Sequence, residues 1–253
     1  MSENRIALVT GAAGGIGQSV CRALAEQGLQ VVLADLDAAP LQALAEALPG
    51  QGHRTAAVDI SSMASVEQLF GRLRSEGVKV SVLVNTAAIS PVGEDGALID
   101  VRSTTPELWE KVFAVNAFGT YAVCRAFVMQ ADAGMAHGRI INFASSAAQL
   151  GGYRSCTAYV ASKAAVIAFT KALAREMAPL NITANVVAPG LVDTPMLRSR
   201  LDRKDDAGAV GLVPLSRVGQ PDEVAAAVTY LVGPLAAYVT GSTLDVNGGY
   251  YMV

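Results

Sequence analysis

Arg5-Ile6-Ala7-Leu8-Val9-Thr10-Gly11-Ala12-Ala13-Gly14-Gly15-Ile16-Gly17 is the stretch on which the reading of this chain turns. Arg5–Thr10 is a short, nearly continuous apolar run, the pattern of a strand buried on both faces. A helical period begins at once and holds over Gly15–Gln27. Between them, Gly11, Gly14, Gly15 and Gly17 allow a sharp turn and leave no Cβ in the way of a close-lying diphosphate. The helix start then presents unpaired N–H groups and a partial positive charge to an anion. Glycines also cap ordinary strands and helices. Their position between a first strand and a first helix points to a dinucleotide site.

The same alternation continues outward. Strand-like runs recur at Gln30–Asp35, Arg54–Asp59, Val80–Asn85, Arg139–Ala144, Asn181–Ala188 and Ser242–Val246. Helical periods fill the gaps at Leu41–Leu48, Val66–Ser75, Leu108–Ala131, Thr157–Ala178 and Asp222–Val232. Strands that alternate with helices imply parallel crossovers. The predicted fold is therefore α/β, a single-domain Rossmann-type doubly wound parallel sheet of about seven strands with helices on both faces. No linker or repeat divides residues 1–253. The segment 190–219, charged in the middle and flanked by Gly and Pro, suits a mobile substrate lid.

Composition sets bounds. The chain has 253 residues, 52% hydrophobic and 16% charged, so it can bury a large apolar interior. A net charge of −3 argues against a nucleic-acid or anionic-membrane surface. MSENRIALVTG passes straight from a polar tip into a strand, so no export signal is expected. Cys21, Cys124 and Cys156, odd in number and without CxxC spacing, read as free buried thiols of a reducing cytoplasm. His53 and His137 lie near no Cys or carboxylate cluster, so no catalytic zinc is expected. The helices Trp109–Ala131 and Tyr159–Met177 are apolar almost all round, which suggests cover by another subunit.

Asp35 ends the second strand 18 residues past Gly17. There an acidic side chain accepts hydrogen bonds from adenosine ribose hydroxyls, whereas a 2′-phosphate would meet its negative charge. Leu36 and Ala12–Gly15 bring no compensating cation, so NAD(H) is expected over NADP(H). Asp59, closing the third strand, is a candidate for the adenine amino group or an ordinary turn residue.

Tyr159 and Lys163 lie four apart on one helical face. A phenol of ordinary pKa about 10 is a poor base at neutral pH, and a neighbouring ammonium stabilises its phenolate. Such a tyrosine can exchange a proton with an alcohol or carbonyl oxygen as hydride leaves or arrives. The pair alone is a weak sign. Ser146, thirteen residues upstream, and the distant glycine turn give it force.

With these motifs the chain resembles the short-chain dehydrogenase/reductase superfamily over essentially its whole length. The resemblance implies Tyr159 as acid/base and Lys163 as holder of the nicotinamide ribose and depressor of the tyrosine pKa. It implies Ser146 as hydrogen-bond partner of the substrate oxygen and Asn116 as support for a proton-relaying water. Implied cofactor positions are Gly11, Gly14, Gly15, Ile16, Gly17, Asp35, Leu36, Asp59, Ile60, Asn85, Ala87, Pro189, Gly190, Val192 and Thr194, with Tyr159 and Lys163. Asn85-Thr86-Ala87-Ala88 departs from the family's Asn-Asn-Ala-Gly, placing a Cβ at residue 88 where backbone usually nears the cofactor. Arg217–Val224 and Asp245–Gly249 resemble the family's late segments, the latter common at tetramer interfaces, so a homotetramer or dimer is implied.

Candidate substrate-wall residues are Ser90, Ala148, Tyr153, Gly190, Met196 and the lid around Met196–Arg200, with Arg154 read as a solvated arginine. Few polar groups lean the reading towards a small apolar substrate. The leading expectation is an NAD-dependent oxidoreductase of a small secondary alcohol or ketone. The alternative is a 3-oxoacyl-thioester reductase, against which Asp35 counts because many such enzymes take NADPH. A cofactor-binding regulator or a redox-inactive relative would show a broken glycine turn or a replaced Lys163, and both are intact.

Overall fold

A computed structural model describes residues 5–93, 96–131, 137–152 and 155–253. The strands are Ile6–Thr10 (β1), Gln30–Asp35 (β2), Arg54–Ala57 (β3), Val80–Asn85 (β4), Gly138–Phe143 (β5), Ile182–Pro189 (β6) and Thr243–Val246 (β7). All pair in parallel, in the order β3-β2-β1-β4-β5-β6-β7. The order reverses between β1 and β4, which opens a crevice at the carboxyl ends of the strands.

The helices are Gly15–Glu26 (α1), Ala39–Ala47 (α2), Met63–Ser75 (α3), Pro106–Phe113 (α4), Thr120–Gln130 (α5), Ser146–Leu150 (α6), Thr157–Met177 (α7), Pro195–Arg198 (α8), Asp206–Ala209 (α9) and Pro221–Val232 (α10). Alternation along the strands feeds two cores. Ala7, Val9, Val31, Leu33, Val82 and Val84 pack beneath α1 and α10. Leu8, Val32, Leu83, Ile140 and Ile182 face α3, α5 and α7. Near-continuous apolar strands are what burial on both faces requires. The three cysteines are free and buried, as expected from the sequence, and burial pushes the Cys21 and Cys124 thiols up to about 12.

Several boundaries differ from the periodicity, each for a local reason. β3 stops at Ala57 because Asp59 turns the chain, its Oδ1 accepting from Ser61 N at 2.9 Å and Ser61 Oγ at 2.6 Å. Ser62 then caps α3, accepting from Ser65 N, so that helix starts before Val66. The span Leu108–Ala131 is not one α-helix. A π-helical turn, Ala114–Gly119, separates α4 from α5. Pro106–Gln130 is long and apolar enough to cross a membrane by length and composition alone, but half of its most apolar window is buried in the fold. α6 carries no sequence periodicity; it is a five-residue helix closed by Gly151 at φ 87°.

Candidate active site

A cavity of about 600 Å³ occupies the crevice, running from the glycine turn to the start of α7. That size is ordinary for a ligand site. At one end Gly11 adopts φ 69°, and a Cβ there would fall 2.6 Å from Ala87 backbone. A Cβ on Gly17 would fall 2.1 Å from Gly11 O. These glycines let the turn close onto β4 and onto α1. No side chain caps α1 and its first turn holds no acid, so the N-terminal amides remain for an anion.

Asp35 stands beside this cradle. Its Oδ2 accepts from Ala13 N at 3.0 Å and its Oδ1 from Leu36 N at 2.7 Å. A carboxylate offers about four acceptor sites, so both oxygens retain capacity for ribose hydroxyls. Leu36, Asp59 and Ile60 line the same end. Asp59 lines the cavity and also forms the turn before α3. The glycine cradle, the open helix terminus and the acidic strand end together fit a dinucleotide.

The β4 end supplies another wall through Thr86, Ala87, Ala88, Ile89 and Ser90. Thr86 Oγ1 donates to Thr10 O at 2.6 Å, tying β4 to β1. Ala88 is not among the residues with positive φ, so its Cβ introduces no left-handed strain. Asn85, expected at the cofactor, does not line the cavity. Its Nδ2 donates to Asn142 Oδ1 at 2.8 Å, and Thr10 Oγ1 donates to its Oδ1 at 3.3 Å. Asn142 Nδ2 in turn donates to Thr170 Oγ1, so this buried polar chain links β1, β4, β5 and α7 below the site.

Tyr159 and Lys163 share one face of α7, are buried, and both line the cavity. Burial pushes the Tyr159 phenol above its ordinary pKa; a hydrogen bond with the Ser145 side chain and the Arg200 charge pull it down. Lys163 Nζ donates to Phe143 O at 2.8 Å and sits 6.0 Å from the Tyr159 ring centroid. Burial pushes the lysine down to about 8.

The serine side chain that meets the Tyr159 phenol is Ser145, one residue before the Ser146 chosen from the spacing. Ser145 leaves β5 in extended conformation, caps α6 and accepts from Ala147 N at 3.2 Å. Ser146, the first residue of α6, is buried and also lines the cavity. Counting residues back from Tyr159 cannot register the helical turn and two left-handed glycines, Gly151 and Gly152, that lie between.

Asn116 sits fully buried in the π turn. Its Oδ1 accepts from Ile89 N, and its Nδ2 donates to Ile89 O and to Ser162 Oγ, all at 2.9–3.0 Å. Ser162 Oγ donates onward to Tyr159 O. The side chain thus clamps the β4 loop to the base of the tyrosine rather than lining the cavity.

On the β6 side, Pro189, Gly190, Val192 and Thr194 line the wall. Val192 is held by a parallel bridge to Gly219, and Thr194 caps α8. Of the expected substrate positions, Ser90, Gly190 and Met196 line the cavity. Ala148 does not; Ala147, Leu150 and Gly152 line that side instead. Tyr153 and Arg154 fall outside the described residues. The sequence reading missed Tyr250, which reaches the cavity from the tail after β7. It included Arg200 only as the end of a lid segment.

Residues 11–251 match the protein family described as enoyl-(acyl carrier protein) reductase. The chain is similar to the 3-oxoacyl-[acyl-carrier-protein] reductase of Escherichia coli, with 38% identity over 251 residues covering 99% of both chains. It is similar in structure to a 3-oxoacyl-[acyl-carrier protein] reductase from Brucella melitensis, with TM-score 0.90, 35% identity, and 99% and 92% of the two chains covered. It also resembles a 3-ketoacyl-(acyl-carrier-protein) reductase of that organism complexed with NADH, with TM-score 0.89, 30% identity and full coverage of both chains.

Proposed function

The chain belongs to the short-chain dehydrogenase/reductase superfamily, and from that membership we propose that it is an NAD(H)-dependent enzyme interconverting a 3-oxoacyl group and its 3-hydroxy form. Its oxidoreductase class follows from its relatives. The carrying observation for the finer reading is one continuous cavity with Asp35 and the glycine cradle at one end and Tyr159 with Ser145 at the other. A small ketone or secondary alcohol is the broader form of the same reading.

In this reading the α1 terminus holds the cofactor's diphosphate and Asp35 its adenosine ribose. Lys163 holds the second ribose, and Val192 and Thr194 the carboxamide. The nicotinamide, when bound, supplies or takes the hydride. Tyr159 O–H donates a proton to the substrate oxygen in reduction and recovers it in oxidation. Ser145 Oγ donates to the same oxygen, and Asn116 keeps Tyr159 and the Ile89 loop in register. Burial keeps the Tyr159 phenol protonated at neutral pH, so it meets a substrate carbonyl with its proton in place.

Asp35 supports NAD(H) as cofactor. The expectation that reductases of this class take NADPH loses force beside a 30%-identical reductase complexed with NADH. Phe118, Tyr121 and Met129, exposed on the π turn and α5, support the homotetramer or dimer that the family resemblance implies. A cytoplasmic location agrees with the free thiols. The test is oxidation of NADH, with NADPH in parallel, in the presence of 3-oxobutanoyl thioesters and simple ketones. Turnover with NADPH alone, or with neither cofactor, overturns the reading.

A further inference from the structure

Tyr250 lines the cavity from the tail that follows β7, and no step of the oxidoreductase reading uses it. The way the tail is built determines what this side chain can do. Asn247 Oδ1 accepts from Gly249 N at 2.9 Å, and Asn247 O accepts from Tyr250 N at 3.1 Å. Asn247 Nδ2 donates to Tyr251 O at 2.9 Å. Residues 247–251 thus form one turn closed around Asn247.

That turn is wedged on two sides. Just past β6, a Cβ on Gly190 would fall 2.8 Å from Asn247 Cα. Opposite, Leu215 N donates to Gly248 O at 3.1 Å. Gly248 and Gly249 adopt φ 65° and 84°, and Cβ atoms there would fall 2.8 Å from Val213 and 2.9 Å from Pro214. Contacts this close leave the tail little room to swing. The side chain is backed as well. Leu197, Leu201, Val210, Val213 and Val218 form a small core within 190–219, separate from the two cores of the sheet, and Leu191 and Tyr250 pack against it. Leu191 and Leu197 also line the cavity, beside Met196. Tyr250 therefore stands half-buried between this core and the cavity. With two side-chain torsions and a packed core behind it, the ring is a stiff wall.

We propose that Tyr250 determines substrate specificity: its ring limits the chain beyond the reacting carbonyl, so that the enzyme takes short 3-oxoacyl groups and discriminates against long ones. A cavity of about 600 Å³ has to admit the dinucleotide and the substrate together, so the room left for an acyl chain is small from the outset. A longer chain has to displace the ring, and the ring moves only by disturbing the packed core or the tail turn. Overfilling a well-packed site is unfavourable for the same reason. This inference deepens the oxidoreductase reading and rests on it.

The experiment compares kcat/KM for the 3-oxobutanoyl and 3-oxooctanoyl thioesters of N-acetylcysteamine, with NADH, in wild type, Tyr250→Phe, Tyr250→Leu and Tyr250→Ala. Wild type is expected to prefer the four-carbon substrate. Each methylene moved from water into apolar space is worth about fourfold, and Tyr250→Ala opens room for about two or three. The ratio of eight-carbon to four-carbon kcat/KM is therefore expected to rise roughly ten- to hundredfold, mainly through KM. Tyr250→Leu is expected to fall between, and it carries the test if the alanine variant fails to fold. Tyr250→Phe keeps the ring and is expected to keep the wild-type ratio. A side chain that only completes the packed core would lower Tm and both rates together, with the ratio unmoved. That outcome, a wild type that prefers the eight-carbon substrate, or a shift in Tyr250→Phe as large as in Tyr250→Ala overturns the proposal while leaving the oxidoreductase reading intact. Absence of NADH oxidation by wild type with both thioesters overturns both.

Discussion

Lys163 allows a stability prediction that is independent of any substrate. Its ammonium is buried, it donates a hydrogen bond to a neutral acceptor, Phe143 O, and burial pushes its pKa down to about 8. Against an ordinary lysine value of about 10.4, at 1.36 kcal/mol per pH unit, holding the charge at neutral pH costs about 3 kcal/mol. Lys163→Met keeps the apolar stem and removes that cost, but it leaves Phe143 O without its donor, a loss of about 1 kcal/mol. The net gain of about 2 kcal/mol corresponds to a rise in Tm of roughly 4–8 °C for a chain of this size. The sign with pH follows from proton binding. Between about pH 8 and 10.4 the unfolded chain holds the lysine proton and the folded chain does not, so wild-type stability rises with pH across that window. Differential scanning calorimetry of both proteins without cofactor, from pH 7 to 10, should therefore show the variant melting higher at pH 7 and the gap closing towards pH 10. A variant that melts no higher at pH 7, or a gap constant with pH, would refute the buried-charge argument.

Other residues separate the remaining roles. Ser145→Ala should lower kcat by about 10²–10³, the usual loss for one donor to a developing oxyanion, whereas Ser146→Ala should stay near wild type; the reverse order would restore the thirteen-residue spacing as the guide. Asp35→Ala should raise kcat/KM for NADPH relative to NADH, and an unchanged cofactor ratio would remove Asp35 from cofactor choice.

How far these roles could be read from the sequence depends on how locally each is encoded. The glycine turn, Asp35 and the Tyr159–Lys163 pair depend on a strand end, a helix start or a four-residue helical step, and periodicity exposes all three. Ser145 depends on the path of the chain through α6, Gly151 and Gly152, which no count of residues measures. Asn85 is implied as a cofactor contact by the family motif that it opens. Its register opposite Thr10 and Asn142 instead turns it into a cross-strand network. The π turn that buries Asn116 is one extra residue in a helical ladder, invisible beneath a continuous apolar pattern. Arg200 was one charge among several in an irregular segment. The ion pairs of Asp193, Arg198, Arg203 and Asp206 that anchor its segment are not legible in the order of the residues.

The central claim is that Tyr159 exchanges the proton while the rest of the cavity holds the cofactor. Its most direct test measures NADH binding by fluorescence and NADH oxidation with a 3-oxoacyl substrate in Tyr159→Phe, which lacks only the hydroxyl. The account predicts an NADH Kd close to wild type with kcat reduced by about 10²–10⁴-fold. A variant that binds NADH equally well and turns over at the wild-type rate would contradict it.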